Sequence, residues 1–462
     1  MQSPYEARRP DAAPAAAAMP VPDVASPAPF PTSPAASPAP GPLLIFLALM
    51  PFGLGYFLSY LYRATNAVVA PDLVRDVGLT AGQLGLLTSA YLFAFAAFQL
   101  PLGILLDRYG PRRVQAALVA VGGAGALLFG LGQSVTTLML ARAIIGLGFC
   151  GGLMSAFKAV VIWVPETRRP LANALVMSVG ALGLIVATTP LEFAVQAAGW
   201  RQVFFGMALF TFAVAGLILV VVPERPAPAR PPVTLAHELS EIGSIVRDRV
   251  YWAMAPLLAI VTGVHIAIQT LWAGPWLRDV AGLDRTGVAN RLFLMAVAFL
   301  AGILFSGTLA DWLTRRGASL LHIMLGFLTL FLAAQFGLML AIPGTDLWLW
   351  TVFSMTGQVS VLAFPWLGSY YGAARSGRVN SAINLPMFGM AFLFQYAIGV
   401  VIDFFPATVA GAYPPEAYRV ALAWLLLAEG LAFAWYGIHW QHIAEADRTV
   451  LAAYRTRSTG PK

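Results

Sequence analysis

The chain has almost no cysteine and little charge. Cys150 is its single thiol, so no intrachain disulfide can form and no Cys/His cluster offers a metal site. Only 11% of the 462 residues are charged, and lysine is nearly missing: of 28 basic residues, all but Lys158 and Lys462 are arginine. A soluble domain carries about 25% charged residues. With 59% hydrophobic residues, this chain cannot clothe a water-facing surface, and much of its solvent must be lipid. Between the apolar segments no nucleophile and base pair, metal set or phosphate loop stands out. The sequence therefore indicates neither an enzyme nor a cofactor.

What is present is a series of twelve apolar segments, at 43–69, 82–106, 114–132, 136–163, 171–196, 202–222, 251–276, 289–310, 319–341, 347–371, 381–402 and 417–440. Each is near the ~20 residues that a ~30 Å hydrocarbon core demands. Gly, Pro and aromatics spread through them predict helices rather than the short alternating strands of a barrel. The net charge of +7 does not mark a nucleic-acid binder, because the arginines sit in short loops. With the N-terminus in the cytoplasm, nineteen Arg and Lys fall on that side, six on the other, and Arg63, Arg142 and Lys158 within spans. That is the positive-inside distribution, and twelve crossings return the C-terminus to the cytoplasm. The predicted organisation is a disordered Pro/Ala-rich tail (1–42), a six-helix bundle (43–222), a cytoplasmic linker (223–250) with a surface helix over His237–Val246, a second six-helix bundle (251–440) and a cytoplasmic tail (441–462). The chain is expected in the plasma membrane, the inner membrane of a bacterium.

A charged loop occurs twice, 204 positions apart. The first copy carries Gly103, Asp107, Arg108, Gly110, Arg112 and Arg113; the second keeps Gly307, Asp311, Arg315 and Arg316 but has Trp312 where the first has Arg108. Such a repeat marks two related halves, as in transporters built from parallel repeats. With G-x-x-x-D-R-x-G-x-R-R complete between spans 2 and 3, the chain resembles the major facilitator superfamily over all twelve spans. Physically, a carboxylate where a helix meets water can accept from free N–H groups at a neighbouring helix start. The resemblance implies that Asp107 latches the halves on the cytoplasmic side, against the start of span 11. Arg142, followed by Gly146, resembles the family's R-x-x-x-G element in span 4 and is grouped with the latch; snorkelling to the outer interface is its other reading. The span 5 motif of proton-coupled drug exporters is missing around Gly180–Pro190, which favours uptake over export.

Spans 1 and 7 correspond in the repeat, and both carry a polar stripe. Tyr56, Tyr60 and Arg63 fall at i, i+4 and i+7; His265, Gln269 and Trp272 repeat that spacing, with Trp276 beyond. At α-helical period each set lies on one face, and rings with OH and NH beside Arg, His and Gln suggest a wet binding cavity. The stretch around Arg63 is similar to the first span of the organophosphate/phosphate exchangers, where the resemblance implies an Arg that meets an anionic substrate. One fixed Arg fits a monoanion or zwitterion better than a dianionic phosphate. Lys158 is either a second charge in the cavity or a snorkelling side chain. Asn384 and Gln395 in span 11 are further substrate candidates. Glu429, Glu192 and Asp403 are the acids at or within spans, hence the candidates for proton coupling. The expected function is secondary active transport of a small anionic or zwitterionic solute by a functional monomer, with a coupling proton or counter-transported anion as further partner. A proton-coupled multidrug pump and a non-transporting ligand sensor are the alternatives.

Overall fold

The computed structural model describes residues 42–165, 168–223, 235–372, 375–408 and 412–458. The predicted tail, bar its last residue, and the Pro-rich start of the linker lie outside them. The regular structure there is helical throughout. In chain order it runs α1 (Pro42–Val77), α2 (Ala81–Ala97), α3 (Gln99–Leu131), α4 (Val135–Phe149), α5 (Gly152–Trp163), α6 (Arg169–Val186), α7 (Thr189–Ala198), α8 (Trp200–Val221), α9 (Leu235–Val246) and α10 (Arg249–Ala267). A π-helical turn over Ile268–Trp272 joins α10 to α11 (Ala273–Asp279). Then come α12 (Arg285–Arg315), α13 (Leu320–Leu340), α14 (Asp346–Thr356), a 3-10 turn over Val359–Leu362, α15 (Ala363–Tyr371), α16 (Ser376–Asp403), α17 (Pro415–Ile438) and α18 (Trp440–Ser458).

Several breaks follow a rule of covalent geometry. A proline inside a helix removes one N–H and clashes with the carbonyl four residues back. Pro101 stands four after Ala97, where α2 ends, and Pro190 four after Val186, where α6 ends; α6 and α7 meet at 43°. Pro275 stands four after Leu271 in the π turn, and Pro365 four after Val361 in the 3-10 turn. Pro51, Pro71, Pro256 and Pro386 are carried inside helices without interruption. Gly110, in the repeated loop, has φ 77° and ψ 162° and turns the chain within α3, a backbone region open essentially to glycine.

Ten helical spans are long and apolar enough to cross a membrane, three of them runs of consecutive helices (α4–α5, α10–α11 and α14–α15), and eleven if the α6–α7 pair is one span. Twelve were expected from the sequence. The difference lies in α2, which at 17 residues is too short alone, and in α3, where two helices abut at the Gly110–Pro111 kink with no intervening loop. Helices α1–α8 pack mainly on one another, as do α10–α17, and the two groups meet chiefly through α2 with α16, α1 with the π turn and α11, and α12 with α6 and α7. Small residues let backbones approach: a Cβ on Gly148 would strike the Gly122 backbone and one on Gly183 the Phe57 carbonyl.

Candidate functional site

Between the two groups lies a cavity of about 300 Å³. One wall is α1, uninterrupted over this stretch, so Tyr56, Ser59, Tyr60 and Arg63 do share a face and line it. Tyr56 meets Tyr60 edge to face, centroids 5.2 Å apart. The Arg63 guanidinium sits 5.0 Å from the Tyr60 ring, 5.1 Å from Phe95, 5.3 Å from Phe388 and 6.0 Å from Tyr91. Such stacking holds a guanidinium without neutralising it. Phe388 belongs to α16, so both groups of helices contribute. Its Nε is buried without a hydrogen-bond partner. Among the described residues Arg63 is the one charged residue lining the cavity, and no acid lines it.

The opposite wall offers neutral polar groups. Asn380 and Asn384 come from α16, Gln358 from the break below α14, and Thr262 with Ser360 from α10 and the 3-10 turn. Thr262 and Ser360 hydroxyls are 2.7 Å apart; the Asn380 side-chain oxygen is buried and unmet. Gln99 also lines the space and donates to the Cys150 carbonyl at 3.2 Å.

Span 7 departs from the predicted stripe. A π turn accommodates one extra residue, which rotates everything beyond it by ~100° about the helix axis. His265 turns away from the cavity, fully buried amid Phe299, Phe331 and Phe353, with no partner for either ring nitrogen. Gln269 faces a small crevice with Ala64 and Thr188, and Trp272 lines a second cavity farther along the interface. The Trp272 indole donates to the Gln395 carbonyl at 2.9 Å, and the Gln395 amide lies 3.3 Å from the Thr270 hydroxyl. Trp276 packs on Trp350. Lys158 is outside the lining as well: it donates to Asp107 at 2.5 Å and to the Leu106 carbonyl at 2.6 Å. Of the predicted substrate residues, the structure gathers Tyr56, Tyr60, Arg63 and Asn384 at the cavity; Lys158, His265, Gln269, Trp272 and Gln395 lie elsewhere. Sequence reading missed Ser59, which falls on the Tyr56–Arg63 face, and Gln99, Thr262 and Ser360, which stand in mostly apolar stretches.

The repeated loops lie at one end of the bundle. Asp107 pairs there with Lys158 of its own half, not with the start of α16. Arg112 donates to the Leu219 carbonyl at 2.5 Å, Arg108 lies over Tyr109, and Asp311 pairs with Arg315 one turn on. Gly103 and Gly307 meet no close neighbour. Arg142 neither snorkels nor latches: it is wholly buried, donates to the Tyr62 carbonyl at 2.8 Å and stacks 5.4 Å from Phe129, tying α4 to α1.

The opposite end is where the halves are joined. Thr80 caps α2 in a capping box with Gln83, and Asp403 from the end of α16 completes that cap. It accepts from Thr80 Oγ1 at 2.8 Å, Ala81 N at 2.9 Å and Gly82 N at 2.7 Å. Tyr413 donates to the same carboxylate at 2.8 Å; burial pushes this phenol up, so it stays a donor. Beside this, Arg285 at the start of α12 bonds Asp72 of α1 at 3.0 and 2.5 Å and also Glu192 of α7. Thr189 meets Asn290 at 3.1 Å. Asp403 and Glu192 therefore sit in interhalf bonds rather than in the cavity. Glu429 is fully buried in α17 and faces the buried Gln335 amide; Glu429 does not line the cavity either.

A helical membrane chain whose two groups of helices enclose a central cavity has the build of a membrane transporter. The sequence profile of the Major Facilitator Superfamily matches residues 52–395, and the chain belongs to that family. It is 28% identical over 279 residues to a probable sulfoacetate transporter of Cupriavidus necator, a match covering 57% of this chain and 64% of the relative. It is 25% identical over 294 residues to a probable galactarate/D-glucarate transporter of Escherichia coli (57% and 65%) and 28% over 262 residues to a chloramphenicol resistance protein of Streptomyces lividans (56% and 64%). The matches thus span just under two thirds of these relatives' own length. In fold it is similar to the crystal structure of a bacterial homolog of the human lysosomal transporter Spinster, inward-facing and occupied, with TM-score 0.70 at 18% identity, covering 86% of this chain and 97% of the other.

Proposed function

We propose that the chain is a secondary active transporter that carries a small organic anion across the plasma membrane by alternating access, Arg63 holding the anionic group. The observation that carries this reading is a lone guanidinium, stacked by aromatic rings and without any carboxylate, on the wall of the central cavity. A charge left at bilayer depth without a counter-ion is costly, and an anionic solute supplies one. Relatives named for sulfoacetate and galactarate/D-glucarate support the solute class.

In this reading Gly110 divides α3 between spans 2 and 3, α2 with the start of α3 forms span 2, and the α6–α7 pair forms span 5. Twelve crossings result, with both termini cytoplasmic and six spans in each half. The joined Thr80–Asp403 end then faces outward and the cavity serves the cytoplasmic side. The test is flux of radiolabelled organic anions into proteoliposomes by wild type and Arg63→Gln. A substrate flux that falls at least roughly tenfold supports the reading, since removing a charge-assisted contact costs about 1.5–3 kcal/mol; flux indifferent to residue 63 sinks it. The largely apolar lining and the chloramphenicol resistance relative favour a second reading, efflux of neutral drugs, which predicts just that indifference.

A further inference from the structure

We infer that the central cavity selects a monoanion with a neutral, largely apolar body, and rejects both dianions and zwitterions. The inference rests on the anion reading above and narrows it. Its basis is the charge inventory of the wall. Arg63 is the one cation lining the cavity among the described residues, and Lys158, His265 and Arg142 are each held elsewhere. A second anionic group would enter with no cation to meet it. Burying a charge unpaired costs far more than an amide hydrogen bond returns. Sulfoacetate and galactarate/D-glucarate, after which two relatives are named, are doubly charged, so the inference sets this chain apart from those relatives in the charge it accepts.

An ammonium group fares no better. No Asp or Glu lines the cavity, so an ammonium meets no counter-charge there, and contact with a remaining ring such as Phe149, Phe157 or Phe364 returns little against the cost of burying the charge. What the far wall does offer is neutral: the amides of Asn380, Asn384 and Gln358. These can satisfy a hydroxyl, ether or amide. Phe149, Phe157, Phe364 and Met387 fill out the rest of the lining and suit an apolar body. Asn384 has a particular position. Asn380, Asn384 and Phe388 stand at i, i+4 and i+8 of α16, so Asn384 is one turn, ~6 Å, from the ring that stacks on Arg63. It therefore governs what a second charged end of the solute would meet.

Isosteric pairs separate charge from shape. The purified full chain is titrated, by thermal shift and by flux in proteoliposomes, with succinamate against succinate and 4-carbamoylbenzoate against terephthalate; asparagine serves as the zwitterionic counterpart of succinamate. The expected result is that each monoanion binds roughly tenfold or more tightly than its dianion, that asparagine is as weak as succinate, and that Arg63→Gln abolishes the response. Asn384→Arg is expected to reverse the order in favour of the dianions, a gain that a misfolded variant cannot mimic. Dianions that bind wild type as well as their monoamides, or asparagine that matches succinamate, overturn the inference while leaving the anion reading intact if Arg63 is still required. Silence from both monoanions overturns it too. Stabilisation by neutral chloramphenicol that survives Arg63→Gln, with no anion response, removes both.

Discussion

Arg63 illustrates why residue type matters more than charge. Its planar guanidinium is gripped by four aromatic rings, and a lysine ammonium, compact and strongly hydrated, cannot stack in the same way. Arg63→Lys should therefore leave the anion response at least about tenfold weaker than wild type even though the charge remains, as read by ligand-dependent thermal shift. Full retention would mean that the rings are only packing. That Arg63 faces the cavity was legible in the sequence because α1 carries Tyr56, Tyr60 and Arg63 through an unbroken helical stretch, where 3.6-residue spacing holds. The fate of Lys158 was not legible. Whether a lone lysine reaches a cavity or a neighbouring carboxylate depends on where the Asp107 loop settles, which is a tertiary matter.

At the level of helices, the same spacing rule failed in span 7. His265, Gln269 and Trp272 obey it on paper, yet a single π turn moves the later pair to another face. Pro275 was a visible warning, since the helix disturbance falls four residues before it, as it does for Pro101, Pro190 and Pro365. Pro51, Pro71, Pro256 and Pro386, carried without a break, show that the rule marks candidates rather than certainties. Glycines mark where backbones touch, as at Gly148 and Gly183. Gly183→Ala would drive a Cβ onto the Phe57 carbonyl, and overpacking of that kind costs about 1–3 kcal/mol. The melting midpoint should drop while Gly216→Ala, which meets open space, leaves it unchanged apart from a small gain in helix propensity. Equal midpoints for the two would contradict the close α1–α6 packing.

For the molecule as a whole, the family resemblance implied a latch from the end of span 2 to the start of span 11. The structure joins the same two helices at their other ends: Asp403, at the end of α16, closes on the start of α2. Helices that pack side by side can close at either end, but which of the two ends is closed is a property of the conformation, and no sequence pattern encodes it. Arg285 with Asp72 and Glu192 reinforces the closed end. Asp403→Asn removes a charged acceptor from two backbone N–H groups, worth about 2 kcal/mol in all, which corresponds to a roughly thirtyfold shift in a two-state population. A cysteine placed at Leu292, on the wall of the second cavity, in a Cys150→Ala background should then react faster with an impermeant thiol reagent added outside. Unaltered labelling would show that Asp403 does not hold the outer end. Arg285→Ala should act in the same direction, because it removes the ion pairs that tie α12 to Asp72 of α1 and Glu192 of α7.

The 3-10 turn at Val359–Leu362 sets how the other mouth can shut. A helix already missing rungs at that level bends there more cheaply than anywhere along an intact ladder, and α15 below it carries Phe364 and Pro365 on the cavity wall. Sealing that mouth then needs only a short arm to swing about a built-in elbow, ahead of any rigid turning of the half to which it belongs.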